Sequence, residues 1–341
     1  MATAFGKVQR GAESVAGTAV AATARLMGEY TAEWDDQTVI DLQETMRGDL
    51  NAYHIGDDEK LAVAAVAKLD GTLLFEDFVY WLLGGVAGNV TPTADSGTPT
   101  PAQTWVFEHN QNAPDPITPA GVATYEFGDD TLCEEMEYGL VRNFEFFWGV
   151  QERTKLTVNL FGRQLSPSAF TVLASPQRDV EGVAGQAWKV FLDDVGGTIG
   201  TTEYPGCLRG GTFSSGDLWL PFHCANGQLY FKTHIRPKLK PQVKLKVAVD
   251  SSLAAYRAKF RAKTRQLVRL ENTGSEIHAG ATPASKKITL DMAGVITGIS
   301  AIGSAVEEQV YTEELTLMGA YDPTWGHMWK TTVVNALSAM P

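Results

Sequence analysis

Histidine, cysteine, serine and glycine form metal sites, nucleophiles and phosphate-binding loops when they occur at particular spacings. In this chain they do not have those spacings. The six histidines form no His-x-x-x-His or His-Glu-x-x-His pattern. The three cysteines, Cys133, Cys207 and Cys224, form no Cys-x-x-Cys pair, which argues against structural zinc and against a disulfide framework. No phosphate-binding glycine motif or nucleophile elbow occurs.

Carboxylates are plentiful, but their clusters fit no standard site. The segments "GDDEK" (56–60) and "DVEG" (179–182) do not follow the spacing of a helix–loop–helix calcium site. A glycosidase pair is defined by its separation in space, so the sequence alone leaves that arrangement open. We expect a protein that is not an enzyme and that holds no metal or cofactor.

The basic segment 232–269 holds twelve Lys and Arg residues against a single acid, Asp250. Nucleic-acid binding along such a segment would need interleaved aromatic rings on which bases can stack. Only Tyr256 and Phe260 are present, at a helical spacing that favours core packing. Contact between subunits is the favoured interpretation, with a solvated face and a DNA contact as alternatives.

Charge is distributed unevenly along the chain, whose formal net charge is −12. Residues 1–170 hold 25 acidic and 10 basic residues, and residues 171–341 hold 15 acidic and 18 basic residues. An acidic surface does not bind phosphates, because such binding needs Lys and Arg. The asymmetry suggests attraction between one half of a subunit and the other half of a neighbour.

Short runs of alternating apolar and polar residues dominate the chain and predict antiparallel strands. They are 139–149, 155–161, 228–235, 243–250, 286–292, 311–318 and 329–335. Helices are predicted at 75–85, which ends in paired glycines, and at 251–260. The longest strongly apolar run, 78–88, is too short to span a bilayer.

The segment 91–121 carries six of the fifteen prolines. Because proline cannot donate a hydrogen bond to a strand ladder, we predict a long surface loop there.

Two weak internal matches suggest a tandem duplication. The segment "ESVAGTAV" (13–20) resembles "EGVAGQAW" (181–188), and "WGVQERTKLTVN" (148–159) resembles "WGHMWKTTVVN" (325–335). Their offsets are nearly equal and close to half the chain. The predicted domains are residues 1–167 and 168–341, with a linker in the proline-containing stretch 164–177.

Several longer segments resemble the major tail tube proteins of long-tailed bacteriophages. They are "GKVQRGAESVAGTAVAATARLMG" (6–28), "LDGTLLFEDFVYWLLGGVAG" (69–88), "AYRAKFRAKTRQLVRLENTG" (255–274), "KKITLDMAGVITGI" (286–299) and "AYDPTWGHMWKTTVVNAL" (320–337). The resemblance covers most of the chain but not the 91–121 segment.

This resemblance implies a mainly β fold of two tandem antiparallel β-sandwich domains, each with a flanking α-helix. It also implies a structural virion protein that forms stacked, trimeric, pseudo-hexameric rings, through which DNA passes during ejection. The expected partners are other copies of the chain, tape measure, tail tip and terminator proteins, and genomic DNA that passes without sequence-specific contacts. Assembly would occur in the host cytoplasm, without a membrane.

The tube interpretation assigns roles to particular residues. The lumen should be lined by polar faces of inner strands, for which the candidates are Asn143, Glu145, Thr157, Asn159 and Thr331. Candidates for contact between subunits are Glu13, Asp57, Asp58, Lys238, Lys240, Arg257 and Arg261. The arm 1–22 and the loop 36–58 are expected to contact neighbouring subunits.

Two other functions remain open at this point. One is a secreted β-sandwich module that binds carbohydrate through surface aromatics such as Trp105, Trp188 and Trp219. That function would need an export signal, and residues 13–30 lack the strongly apolar centre of one. The other is a different tail component, such as a terminator or a distal tail protein.

Overall fold

The computed structural model describes residues 6–42, 58–88, 90–97, 100–108, 121–129, 131–174, 180–225, 227–251, 253–279, 283–300, 305–307 and 310–339. The fold is mainly β, with large antiparallel sheets, which confirms the mainly β class that the sequence predicts.

The first half of the chain contributes twelve strands and one helix. They are β1 Lys7–Ala12, β2 Ala24–Arg25, β3 Thr31–Asp36, β4 Val39–Leu42, β5 Asp58–Ala62, β6 Ala65–Thr72, α1 Asp77–Gly85, β7 Thr93–Ala94, β8 Gln103–Glu108, β9 Ala123–Gly128, β10 Cys133–Gly149, β11 Lys155–Gly162 and β12 Leu165–Ser168.

The second half contributes ten strands and one helix, preceded by a 3-10 turn at Gly185–Ala187. They are β13 Trp188–Asp194, β14 Leu208–Ser214, β15 Leu220–Phe222, β16 Thr233–Ile235, β17 Gln242–Ala248, α2 Leu253–Arg261, β18 Arg265–His278, β19 Ala284–Ile299, β20 Ala305–Glu307, β21 Val310–Gly319 and β22 Trp329–Asn335.

One long strand in each half belongs to two sheets. In the first half, the start of β10 pairs with β9 and β12, and its continuation pairs with β11. In the second half, the start of β19 pairs with β18 and β22, and its continuation pairs with β21. Both strands carry a register shift near the change of partner, where a bulge lets a strand bend.

The remaining pairings repeat in the same order. In the first half, β1 pairs with β9, β11 with β6 and β6 with β3. In the second half, β13 pairs with β18, β21 with β17 and β17 with β14. A two-stranded hairpin, β4–β5 or β15–β16, lies between the corresponding strands of each half. The two halves therefore share one pairing scheme.

The short matches that suggested a duplication do not fall on equivalent strands of this scheme. Residues 13–20 follow β1, whereas residues 181–188 precede its equivalent, β13. The match of 148–159 with 325–335 aligns β11 with β22 in sequence. In the pairing scheme, however, the strand equivalent to β11 is β21, because β11 pairs with β10 as β21 pairs with β19. The repeated pairing is therefore a separate observation from the sequence matches.

The two halves are joined by a direct strand pairing between β10 and β14, from Glu145↔Ser214 to Gly149↔Gly210. This junction produces one continuous antiparallel sheet in the order β3-β6-β11-β10-β14-β17-β21-β19, which we call the spanning sheet. At the junction, Trp148 packs against Trp188. Gly211 leaves room for it, since a Cβ there would lie 2.5 Å from the Trp148 ring.

The proline-rich segment 91–121 is not simply a surface loop, contrary to the prediction. Its strand β8 pairs along β22 of the second half, from Gln103↔Asn335 to Glu108↔Lys330. The Trp105 and Phe107 side chains are fully buried, and Trp105 Nε1 donates to Asn335 Oδ1. A strand from the first half therefore completes a sheet of the second, in the order β13-β18-β19-β22-β8-β7.

Helix α1 lies between the two sheets of the first half. Phe78 contacts Phe144 and Phe146 of the spanning sheet, and Trp81 stacks on Tyr125 of β9. All nine residues of α1 are buried. Both helices occur close to their predicted positions.

Two predictions of local structure are wrong. In 228–235 only Thr233–Ile235 forms a strand. In the predicted linker 164–177, residues Leu165–Ser168 form β12, so the predicted boundary at 167/168 falls inside a paired strand. Thr171 is also held to Glu126 by its backbone N–H and its hydroxyl.

Candidate functional site

Four predicted lumen residues lie together on the polar face of the spanning sheet. Asn143 is opposite Asn159, and Glu145 is opposite Thr157, across the β10–β11 pair. Each is partly or fully exposed, while the residues that alternate with them, such as Phe144 and Val158, are buried. This alternation is what period-two patterning predicts for a sheet with one buried face.

Hydrogen bonds between neighbouring strands order this face. Asn159 Nδ2 donates to Asn143 Oδ1 over 2.7 Å, and Asn143 Nδ2 donates to Asp217 Oδ1 over 3.1 Å. Thr157 donates its hydroxyl to Asp70, which also pairs with Lys68. Burial raises the pKa of Asp70, but the hydrogen bonds from Lys68 and Thr157 outweigh it and leave that pKa below its usual range.

Charges of both signs alternate across this face. Its carboxylates include Glu33, Asp35, Asp70, Glu145 and Glu314, and its cations include Lys68, Arg142, Lys155, Lys244 and Lys246. Because neither sign dominates among these residues, the described part of the face presents no extended basic track of the kind that holds nucleic-acid phosphates.

Thr331 does not belong to this face, contrary to the prediction. It lies on β22, outside the spanning sheet, and it is fully buried with its hydroxyl accepting from Trp329 Nε1 over 2.8 Å. Strand β22 is enclosed by β19 on one edge and β8 on the other. A threonine can lie on a buried face when its hydroxyl finds a hydrogen-bond partner there. The sequence alone does not distinguish such a threonine from one on an exposed face.

The spanning sheet ends in two edges that lack a partner among the described residues. Strand β3 pairs only with β6, and residues 296–299 of β19 pair only with β21. Beside β3 there is an open groove of about 510 Å³, lined by Tyr30, Ala32, Trp34 and Leu132 together with residues of the β9–β10 turn. Unpaired edges are templates for pairing with another chain.

Three of the predicted contact residues are placed differently from the prediction or lie outside the described structure. Glu13 is 1 % exposed, and its carboxylate accepts hydrogen bonds from Gly17 N, Thr124 Oγ1 and Tyr138 N. It is therefore an internal anchor and not a surface contact. Asp57 lies outside the described residues, and for Asp58 only the backbone, in β5, is described.

The predicted arm 1–22 is also part of this chain's own fold over its described residues. Strand β1 pairs along β9, and Val20 and Ala22 donate backbone hydrogen bonds to Thr124 and Thr171. The small residues of this segment allow it to lie close to its own sheet.

Arg257 is held within the chain, because its guanidinium pairs with the buried carboxylate of Glu313. The remaining cationic candidates, Lys238, Lys240 and Arg261, are exposed. They stay candidates for contact between subunits.

The aromatic residues on which the carbohydrate-binding alternative depended are buried. Trp105 and Trp219 are 1 % exposed and Trp188 is 5 % exposed. Their indole N–H groups donate to Asn335, Gly85 O and Thr154 respectively. They cannot form a sugar-stacking surface in this conformation.

A buried ion group between the halves was missed by the sequence reasoning. Lys286 Nζ lies 2.7 Å from Glu76 Oε1 at the start of α1 and 3.5 Å from Glu181 Oε2. These residues are about 100 to 200 positions apart, and no local pattern connects them. Their proximity could have been predicted only from the strand pairings of the whole fold.

No protein-family model matches the chain, and no curated protein matches it. Among the described residues, no group of three or more His, Cys, Asp or Glu side chains is arranged to hold a metal ion. The helices of the described part are too short to cross a membrane.

Proposed function

We propose that this chain is a structural virion protein that polymerises into the tail tube of a long-tailed bacteriophage. The observation that carries the proposal is the β10–β14 junction, which fuses two halves of the same pairing scheme into one spanning sheet. The segments that resemble tail tube proteins support the same function.

The junction suggests how copies would join. Inside the chain, the end of β10 pairs with β14, which is the equivalent of β3. In the second half, the end of β19 is equivalent to the end of β10. Among the described residues, the end of β19 and strand β3 each have one unpaired edge. Pairing the β19 edge of one copy with β3 of the next would continue the sheet from head to tail, and such heterologous contacts generate a ring if the rotation closes.

Three copies would supply six similar units to a ring. The repeated pairing supports two tandem domains that divide after β12, close to the predicted division into 1–167 and 168–341. They are linked closely by β8 and by the junction. The polar face of the spanning sheet would line the bore. Its balanced charges suit a channel through which DNA slides without being held.

The proposed partners follow from this role. They are other copies of the chain, tape measure, tail tip and terminator proteins, and genomic DNA in the lumen. Assembly would take place in the host cytoplasm, and the tube would be part of the virion tail.

The first test is assembly of the full chain as a function of its concentration. We expect light scattering to rise with concentration and negative-stain electron microscopy to show rings or tubes of uniform bore. A monomer at every concentration, even with tape measure or tail tip proteins added, would contradict the proposal.

The assignment of the bore has its own test. The background is a chain in which Cys207 and Cys224 are replaced by serine, because neither of these free cysteines is buried. In that background, a cysteine introduced at Asn159, on the polar face, should react in assembled tubes with a small maleimide but not with a bulky one. The control is a cysteine at Lys189, which is exposed on β13, outside the spanning sheet. We expect the control cysteine to react with both maleimides. If a cysteine at position 159 also reacted equally with the small and the bulky maleimide, the lumen assignment would be refuted.

A further inference from the structure

The two helices occupy equivalent places in the pairing scheme but differ in how they are covered. Helix α1 is buried along its whole length. In α2, only Leu253 and Tyr256 are buried, and Ala254, Ala258, Phe260 and Arg261 are exposed. The helix of the second half therefore lacks, among the described residues, a cover that the helix of the first half possesses.

The cover at the C-terminal end of α1 comes from the other half of the chain. Residues flanking the β15–β16 hairpin make the contacts: Trp219 Nε1 donates to Gly85 O over 2.7 Å, and Arg236 Nη2 donates to Val86 O over 2.9 Å. Leu218 packs so closely that a Cβ on Gly85 would lie 2.7 Å from its Cδ1. A hairpin of one half thus seals the helix of the half with which it shares the spanning sheet.

Aromatic rings and cations extend this cover beside the helix. Arg163, in the turn between β11 and β12, stacks on Tyr138 at 4.4 Å and on Tyr230 at 4.9 Å. Phe231, just before β16, packs edge-on against Tyr138 at 5.0 Å. The contact is therefore built from apolar and aromatic surface together with cationic side chains.

The equivalent hairpin of the first half, β4–β5, has no helix to cover in the described part of its own chain. Its exposed side chains include Val39, Ile40 and Leu61, each at least half exposed. The β15–β16 hairpin follows β14, and the outer edge of β14 pairs with β10. The β4–β5 hairpin follows β3, whose outer edge has no partner among the described residues. The example of β14 shows that, when such an edge is paired, the hairpin that follows it lies against the helix of the neighbouring half.

The sequences of the two segments also carry opposite net charge. Residues 39–62 contain six acidic and two basic residues, and residues 257–265 contain five basic residues and no acid. Asp41 of the hairpin, Arg261 at the end of α2 and Arg265 at the start of β18 are exposed. Such complementarity guides encounter and register between partners.

We propose that the β4–β5 hairpin of one copy docks on the C-terminal end of α2 in a second copy, around Phe260, Arg261 and Arg265. The inference rests on the proposed function, in which the β3 edge of one copy pairs with the β19 edge of another copy. That pairing would bring the β4–β5 hairpin of the first copy close to the second half of the other. It adds a second contact to the sheet pairing and identifies the basic end of α2 as the receptor for the acidic hairpin. A docked hairpin would bury the exposed apolar side chains on both surfaces.

The test is charge reversal in the full chain, followed by light scattering over a range of concentrations. We expect Asp41→Lys with Glu59→Lys to raise the concentration needed for assembly about tenfold or more, since tenfold corresponds to about 1.4 kcal/mol. Arg261→Glu with Arg265→Glu should have a similar effect. All four substitutions together should return assembly to near the wild-type concentration, because the charge pairs are restored with reversed sign.

Two controls accompany the reversals. Lys189→Glu, on exposed β13, should leave assembly unchanged, and the unfolding midpoint of each variant should remain near that of the wild type. Tubes that tolerate both reversals, or a combined variant that is not rescued, would overturn this contact and leave the tube function standing. A wild-type chain that never assembles would contradict the tube function and this contact with it.

Discussion

At the scale of single residues, the ion group at the start of α1 links the halves through a buried charge pair. Glu76 is 2 % exposed and its carboxylate depends on Lys286, which is itself 8 % exposed. A buried charge without its partner is costly, because the interior does not replace the lost solvation. The Glu181 backbone N–H, 3.0 Å from Glu76 Oε2, would remain but cannot supply a positive charge.

We therefore expect Lys286→Met to lower the free energy of unfolding by about 3–5 kcal/mol. The control is Lys287→Met, whose ammonium pairs with Glu271 near the surface and should contribute no more than about 1 kcal/mol. Denaturant unfolding of both variants measures the difference. Equal stabilities for the two variants would show that the buried group does not join the halves energetically.

Carboxylates packed around the β9–β10 pair give a pH-dependent prediction. Burial raises the pKa of Glu135, and the charges of Glu126 and Glu13 raise it further. A carboxyl whose pKa is higher in the folded state binds its proton more tightly there, so stability falls as pH rises from the unfolded pKa through the folded one. Above that window the penalty is constant.

Glu135→Gln removes that penalty. We expect the variant to be more stable than the wild type at neutral pH and equally stable at about pH 3, below the unfolded pKa. Glu134→Gln controls for the loss of one negative charge from the same strand. A gain that persists unchanged at acid pH would point to a cause other than ionisation of Glu135.

Residue patterns predicted the polar face of β10 and β11 well and failed at β22, for a physical reason. Alternation identifies two faces of a strand but not which of them is buried. Aromatic residues resolved that choice for β10, where Phe144 and Phe146 must be inside. In β22 the buried face carries Trp329, Thr331, Val333 and Asn335, so polar residues with satisfied hydrogen bonds stand in the core.

At the scale of elements, the segment 91–121 shows the limit of composition as a guide. Six prolines suggested a loop, yet the prolines at positions 99 and 101 precede β8 and the other prolines in the segment also lie outside it. The strand "QTWVFE" alternates buried with partly or fully exposed residues, as a strand with one buried face does. Its partner β22 lies more than 200 residues away, and no local signal could have revealed that pairing.

The β8 strand should therefore contribute strongly to stability. Trp105→Ala removes a fully buried indole and its hydrogen bond to Asn335, and we expect it to cost about 3–5 kcal/mol in the free energy of unfolding. Val106→Ala, at the neighbouring half-exposed position, should cost less than about 1 kcal/mol. Chemical denaturation of the two variants measures both values. A Trp105→Ala chain as stable as the Val106→Ala chain would mean that β8 is not part of the core in solution.

At the scale of the whole molecule, the similar halves are bound together by exchanged segments. Strand β8 crosses from the first half to the second, and the second-half residue Val183 accepts from Thr154 N and donates to Leu73 O in the first half. The β10–β14 pairing adds a shared sheet. A duplication predicted from sequence suggests two separable domains, but these contacts leave each half with exposed core surface when it is alone.

We expect neither residues 1–174 nor residues 175–341, a division that leaves β12 whole, to fold alone into a monomer with a cooperative unfolding transition. The second half would lose β8 and the first half would lose the segment at 181–185 that packs between β6 and the β10–β11 turn. Co-expression should yield a complex that unfolds in one transition, as the intact chain should, because the exchanged contacts make the halves one cooperative unit. Near-ultraviolet circular dichroism and calorimetry of each fragment, of the complex and of the intact chain measure this. Two independent transitions in the intact chain, matching those of well-folded fragments, would show that the exchanged segments pack on domains that are already stable by themselves.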